Sequence, residues 1–131
     1  MILITEFMDT KAIDRLSAAH PTTYAPELAD SQDQIPALMS GVQALIVRNR
    51  TQVTKDLLTF APDLKCVGRL GVGLDNIDLD ACEALGVKVI PASGANNLSV
   101  AEYVVSNALA LLRNAYQVNT EMLAGTWPRL A

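Results

Sequence analysis

Gly68-Arg69-Leu70-Gly71-Val72-Gly73-Leu74-Asp75-Asn76-Ile77-Asp78 opens the stretch on which the reading of this chain turns. It continues through a short helical pattern and the run Val87-Lys88-Val89-Ile90 to Asn96-Asn97-Leu98-Ser99-Val100-Ala101-Glu102. Two glycines flank a single residue directly after an apolar run with strand character. That lets the main chain turn sharply and bare its amide hydrogens, a geometry that holds a carboxylate or a phosphate. Arg69, two residues before Gly71, adds a forked donor of fixed charge. The place reads as an anion site.

Outward from this turn the chain alternates. On the amino-terminal side, Ile2-Leu3-Ile4-Thr5 reads as a buried strand, and Asp9 or Thr10 caps a helix that buries Ile13, Leu16 and Ala19 and is closed by Pro21. Thr22-Thr23-Tyr24-Ala25 has strand character, and from Ser31 a short helix carries Ile35, Leu38 and Met39 on one side as far as Gly41. Ala44-Leu45-Ile46-Val47 is apolar on both faces and ends in Arg48; Thr54 then caps a helix ended by Pro62, and Lys65 to Gly68 is the strand that feeds the turn. Beyond it, Ile77 to Leu85 is helical, Gly86 is its C′ residue, and Val87 to Ile90 is the fifth strand.

Five alternations of strand and helix with short connections select an α/β fold. The expectation is a flavodoxin-like parallel five-stranded sheet of order 2-1-3-4-5, with helices on both faces. Ligands of such sheets bind beyond the carboxyl ends of the strands. Arg48, the turn at Arg69 to Gly73, and Pro91 to Asn96 all fall there.

The last element departs from this pattern. Nothing in the sequence interrupts a helix from Leu98 to Leu123, and roughly 26 residues give a rod of about 39 Å. Apolar residues from Val100 through Val104, Leu109 and Tyr116 to Met122 surround it almost completely, so the expectation is a second covering surface from another subunit or domain. The division expected is residues 1–95 as one domain and 96–131 as a long C-terminal crossing helix.

A chain of 131 residues, half of them apolar, supports one cored domain. Ten Lys and Arg against fourteen acids, a net charge of −4 and a pI near 4.8 supply no basic face for nucleic acid or an anionic membrane, so the partner class left is small molecules. Cys66 and Cys82 lie in apolar context without CxxC spacing and read as two buried thiols. Met1-Ile2-Leu3-Ile4 is too short for a signal segment, and Val100 to Leu112 too short for a membrane span, so a cytoplasmic protein is expected.

The motifs admit competing readings. Gly71-x-Gly73 matches two glycines of a dinucleotide fingerprint, but Asn76 stands where the third is required. A plain tight turn and a carboxylate-binding turn remain, the second favoured by Arg69 and by Arg48 on the neighbouring strand. Arg50 reads as a surface ion pair. Asn96 and Asn97 suit the cap of the last helix, a place where polar side chains also face ligands. Glu102, within an apolar helix, is expected to find a hydrogen-bonding partner. His20 sits in a turn away from the strand ends, and no His, Cys or carboxylate cluster has metal-ligand spacing.

Val47-Arg48 with Thr51, the run Val67 to Asp78, Asn96 to Glu102, Leu112-Arg113 and Gly125-Thr126-Trp127 together resemble the D-isomer-specific 2-hydroxyacid dehydrogenases, in particular the phosphoglycerate dehydrogenase-like branch. The resemblance covers the chain in order. It implies a substrate domain followed by a Rossmann domain that binds NAD, with a long helix crossing between them and packing in a homodimer through Leu98–Leu123. Carried over, the backbone amides of Val72 and Gly73 would hold the substrate carboxylate. Arg48 and Arg69 would face a distal anionic group or line the cleft, and Asn96 would touch the substrate near the reacting carbon. Val100 would lie against the nicotinamide, with Asn97 nearby as a further cofactor contact. The family's glycine fingerprint, its ribose-binding acid and its catalytic Arg, Glu and His would all follow Ala131. The expectation is therefore an NAD-dependent oxidoreductase of small 2-hydroxy acids, of which these residues alone are inactive. The alternative is a non-catalytic carboxylate-binding or dimerisation module.

Overall fold

The structure, a computed structural model, describes residues 1–113 and 118–127. It divides into a compact unit of Met1–Ser93 and a second that begins at Gly94. The first holds five parallel strands, β1 (Ile2–Ile4), β2 (Thr22–Tyr24), β3 (Ala44–Val47), β4 (Cys66–Arg69) and β5 (Lys88–Pro91). Their order is β2-β1-β3-β4-β5, as the sequence leads one to expect. Between them stand α1 (Thr10–Ala19), α2 (Ile35–Leu38), α3 (Lys55–Thr59) and α4 (Leu79–Ala84).

Strand register decides where the core sits. Leu3 pairs with Leu45, Leu45 with Val67 and Val67 with Val89, so these residues form one row across the sheet. Leu3, Leu45 and Val67 are completely buried, against Ile35, Met39, Leu57, Leu58, Ala81 and Cys82. In the opposite row Ile4 is buried, whereas Ile46 and Gly68 are half-buried and Ile90 is exposed. Right-handed crossovers put α1, which leads outward to β2, on that second face and the remaining helices on the first.

Two expectations are corrected here. The α1 helix buries no residue: Ile13 and Leu16 are half-buried and Ala19 is exposed. It packs against β2, an edge strand that is itself mostly exposed. In place of one helix from Ser31 to Gly41, the chain makes 3-10 turns at Pro26–Ala29 and Gln32–Gln34 and then the single turn of α2. Ile35 and Met39 are buried while Leu38 is exposed. Ile35 keeps helical angles, but Pro36 has no amide hydrogen to donate to the preceding turn, which breaks the hydrogen-bonded run there.

Asp9 and Thr54 cap as read, and Asp78, placed inside the helix expected from Ile77, proves to be the N-cap of α4. Asp9, Thr54 and Asp78 each accept a first-turn amide, from Lys11, Leu57 and Ala81 at 3.0, 3.2 and 2.9 Å. Gly86 follows α4 at φ 68°, a conformation that favours glycine. Both cysteines are free; Cys82 is buried and Cys66 half-buried. Burial, aided by the charge of Asp78, pushes the Cys82 thiol up.

In the second unit, α5 spans Asn97–Leu112, 16 residues, with Arg113 as its C-cap, and α6 spans Asn119–Leu123. The uninterrupted helix to Leu123 is thus not observed, and Tyr116, assigned to it, lies outside the described residues. No residue of α5 is buried. A helix without a buried face has little beyond local propensity to extend it. Glu102 is exposed and makes no hydrogen bond among the described residues, so the partner expected for it is absent there.

Leu45→Ala is expected to cost about 3 kcal/mol by opening a cavity under the central strand. Asp78→Ala, which removes only a cap, is expected to cost about 1 kcal/mol. Urea unfolding of both variants checks the ranking; equal losses would show that the core is not where the register puts it.

Candidate functional site

Arg48 follows the last residue of β3 and Arg69 ends β4, so the neighbouring strands β3 and β4 bring them to one edge. Val47 pairs with Arg69 in register, and the Leu70 amide donates to Val47 O at 2.8 Å. The glycine turn then folds tightly: Gly71 N–H donates to Arg69 O at 2.8 Å, and Ala92 N–H, just after β5, donates to Arg69 O and Gly71 O, both at 3.0 Å. Carbonyls are thereby used inward. The amides of Val72 and Gly73 donate to no acceptor among the described residues.

The Arg69 side chain lies back over this turn. A Cβ on Gly71 would overlap Nη1 and stand 2.7 Å from Cζ, and a Cβ on Gly73 would be 3.9 Å from Nη2. Glycine is required at 71 because the guanidinium occupies the space of a side chain. Arg69 Nε is buried without a hydrogen-bond partner, and neither Arg69 nor Arg48 forms an ion pair among the described residues. Arg50 behaves as read: it pairs with Asp30 on the surface, and that contact lowers the Asp30 pKa and raises its own. The turn also carries one acid, since Asp75 Oδ1 would be 2.9 Å from a Cβ on Gly73.

Glu6 was not singled out from the sequence, yet it organises the Arg48 loop. Its carboxylate is buried beyond the end of β1, with 3% of the residue exposed. It accepts the amides of Arg48 at 2.8 Å, Asn49 at 3.2 Å, Arg50 at 3.1 Å and Thr51 at 2.9 Å. Burial opposes ionisation, but the amides of Thr51, Arg48, Arg50 and Asn49 outweigh it and hold the carboxyl below the usual glutamate range. From the other side, Asn76 Nδ2 donates to Thr51 O at 2.7 Å and to Arg48 O at 3.4 Å. The Thr5 and Thr51 hydroxyls meet at 2.9 Å, and Val53 N–H donates to Asn76 O at 2.8 Å. The one sequence signal was an acid directly after an apolar strand with no cation beside it.

Asn96, Asn97 and Val100 belong to the second unit and are placed only within it. Asn96 is the N-cap of α5, but its side chain makes no capping bond; its carbonyl accepts Val100 N–H at 3.0 Å. Both asparagines are exposed, and Val100 is half exposed. The capping role expected of their side chains is not found for Asn96. His20 lines a cavity of about 250 Å³ with Met1, Gln43, Lys65 and Cys66 at the amino ends of the strands. That edge lies opposite the one where chemistry is expected in a parallel sheet.

A tight glycine turn with free amides thus stands at the carboxyl edge of a doubly wound parallel sheet, the flavodoxin-like class of α/β domain. The chain belongs to the D-isomer specific 2-hydroxyacid dehydrogenases: the model of that family's catalytic domain matches residues 2–126. It is similar to the (S)-sulfolactate dehydrogenase of Chromohalobacter salexigens, with 49% identity over 99% of this chain and 42% of the relative. It is also similar to the D-3-phosphoglycerate dehydrogenase of Methanocaldococcus jannaschii, with 34% identity over 98% of this chain and 24% of the relative. Among solved structures, the NAD-dependent formate dehydrogenase of Staphylococcus aureus in complex with NAD superposes with a TM-score of 0.71 at 26% identity, over 97% of this chain and 43% of that one. The chain thus spans less than half the length of these relatives.

The glycine turn does not fit a dinucleotide. Asn76, at the position of the third glycine, is buried and bonded to the Arg48 loop, and the turn leads into Asp78 and the six-residue α4 rather than directly into a helix. No helix among the described residues is long and apolar enough to cross a membrane, and no group of His, Cys, Asp or Glu among them is arranged to hold a metal.

Glu6→Gln is expected to destabilise the fold at pH 7 by about 2–3 kcal/mol, since its amide nitrogen meets donors where an oxygen accepted them. The folded carboxyl titrates below the unfolded one, so the unfolded chain takes the proton first. The stabilisation is complete above an unfolded-state value of about 4.3 and disappears as pH falls through the lower folded value. Unfolding free energies measured from pH 7 to pH 3 should therefore converge for the two proteins at the acid end; a gap independent of pH would refute the ionised assignment.

Proposed function

We propose that the chain is the substrate-binding portion of an NAD-dependent dehydrogenase of a small D-2-hydroxy acid bearing a second anionic group. What carries the reading is the pair of unused amides at Val72 and Gly73 beside the Arg69 guanidinium, which has no acid partner among the described residues. The amides would take the substrate carboxylate, a planar anion suited to adjacent main-chain donors. Arg69 and Arg48 would take the distal phosphate or sulfonate or line the cleft. The names of the sulfolactate and phosphoglycerate dehydrogenase relatives support an acid of that class.

On the same reading, residues 1–95 form the substrate domain and 96–131 lead through α5 toward a nucleotide-binding domain. Asn96 would contact the substrate, and Asn97 and Val100 the nicotinamide. NAD would supply hydride transfer; no residue described here moves the proton that must accompany it, so these 131 residues alone are expected to be inactive. The exposed Leu98, Val104, Val105, Leu109 and Leu112 support a homodimer through Leu98–Leu123, in the cytoplasm.

Calorimetry with 3-phosphoglycerate and sulfolactate is expected to show weak binding to the wild-type chain and loss of it in Arg69→Ala. Gly71→Ala keeps the charge but must displace the guanidinium and strain the main chain at φ 159°, so it should lose some stability and bind about tenfold more weakly. Asp75→Asn, which removes a like charge, should bind more tightly. Identical null heats for all proteins would remove the site. Light scattering should give about twice the 14.0 kDa chain mass; a stable monomer would rule out the α5 interface.

A further inference from the structure

The Arg48 loop is held from both sides by residues that face away from any ligand. Its amides at 48, 49, 50 and 51 all converge on the Glu6 carboxylate. Its carbonyls at 48 and 51 accept from Asn76, a residue of the glycine-turn segment itself. The bridge between Val53 and Ile77 continues the same attachment as one step of parallel ladder. Main chain that would otherwise swing between two strand ends is therefore fixed, and it is fixed to the segment that bears the free amides of Val72 and Gly73.

We propose that Glu6, with Asn76, is a positioning residue for substrate: by seating the loop at 48–51 it sets where the Arg48 guanidinium stands relative to the glycine turn, and so the length of dianionic acid the site accepts. This rests on the reading of Arg48 and the turn as substrate contacts. Glu6 itself touches no ligand; its carboxylate is spent on the loop amides. An arginine on a loose loop still attracts an anion, but it does not present its fork at a fixed distance from a carboxylate already gripped elsewhere, and it is that fixed distance which distinguishes a phosphate or sulfonate three carbons away from a plain short acid.

The test is a double-mutant cycle of Glu6→Gln and Arg48→Ala, with binding of 3-phosphoglycerate and of D-lactate followed by isotope-edited NMR on the 131-residue chain. Glu6→Gln is expected to weaken 3-phosphoglycerate about tenfold and lactate hardly at all, and the loss should vanish once Arg48 is already alanine. The amide resonances of 48–51 should shift and exchange faster in the same variant. Glu6→Asp, which keeps the charge, should restore part of the discrimination. An equal loss for both acids, or one that persists in the Arg48→Ala background, would show that Glu6 only stabilises the fold and would overturn the assignment; so would unchanged binding. If Arg48→Ala alone leaves 3-phosphoglycerate binding intact, the site reading fails as well, whereas an active Arg48 with a silent Glu6 sinks only this inference. Should Glu6→Gln not fold, Asn76→Ala loosens the loop from its carbonyl side and is judged by the same outcomes.

Discussion

A carboxylate withdrawn from water is tolerated only when its oxygens are saturated, because the desolvation of an unpaired charge costs several kcal/mol. Glu6 meets that demand without any cation. Four successive main-chain amides supply the donors, and they can do so only if residues 48–51 curl around it. The requirement works in both directions, since those amides lie just past a strand end where no ladder partner is available and need an acceptor of their own. The end of β1 and the loop after β3 consequently fix each other, and the placement of the Arg48 main chain is built on that arrangement.

Two anion-type concavities thus lie along one edge of the sheet, and they differ in what fills them. The one at 48–51 is occupied by the protein's own carboxylate and is structural. The one at 72–73 follows carbonyls of Arg69 and Gly71 that are committed to Ala92, and its own amides are open. Charge follows the same division. Arg50 is neutralised by Asp30 and lies on the surface, whereas Arg69 lies against the open turn with a buried Nε lacking an acceptor. A donor left unsatisfied in a native fold calls for a reason, and on the proposed function an anionic ligand at the turn would supply one.

Local chemistry was legible in the sequence. Strands made of short apolar runs, N-caps at Asp9 and Thr54, and the stop at Gly86 all depend on residues within a turn of one another, and alternation alone then leads to the observed strand order. Burial of α1 was not legible, since it depends on which strand the helix rests upon rather than on its own period. Nor was the end of α5: an apolar pattern continues past Leu112, but pattern gives a helix no stability where nothing covers it. Glu6 and Asn76 escaped for a different reason. Their partners are more than 20 residues away in sequence, at 48–51, and a lone acid after a strand looks the same whether it faces water or a nest of amides.

Main-chain recognition has a consequence for what can vary across such a family. Amides at 72 and 73 do not depend on the side chain between the glycines, and Val72 is half exposed in any case. On the proposed function such a turn would grip the part that all 2-hydroxy acids share, and discrimination among them would fall to side chains placed at a distance from it. Arg48 and Arg69 differ in this respect. Arg69 is packed against the turn, where Gly71 leaves it room, so its position follows from local geometry. Arg48 is exposed, and only its main chain is held, through Glu6 and Asn76. Of the two, Arg48 is the residue whose reach could be retuned by changing the loop without disturbing the turn, and on the proposed function the Glu6 clamp would be the point where fold stability and choice of substrate are joined.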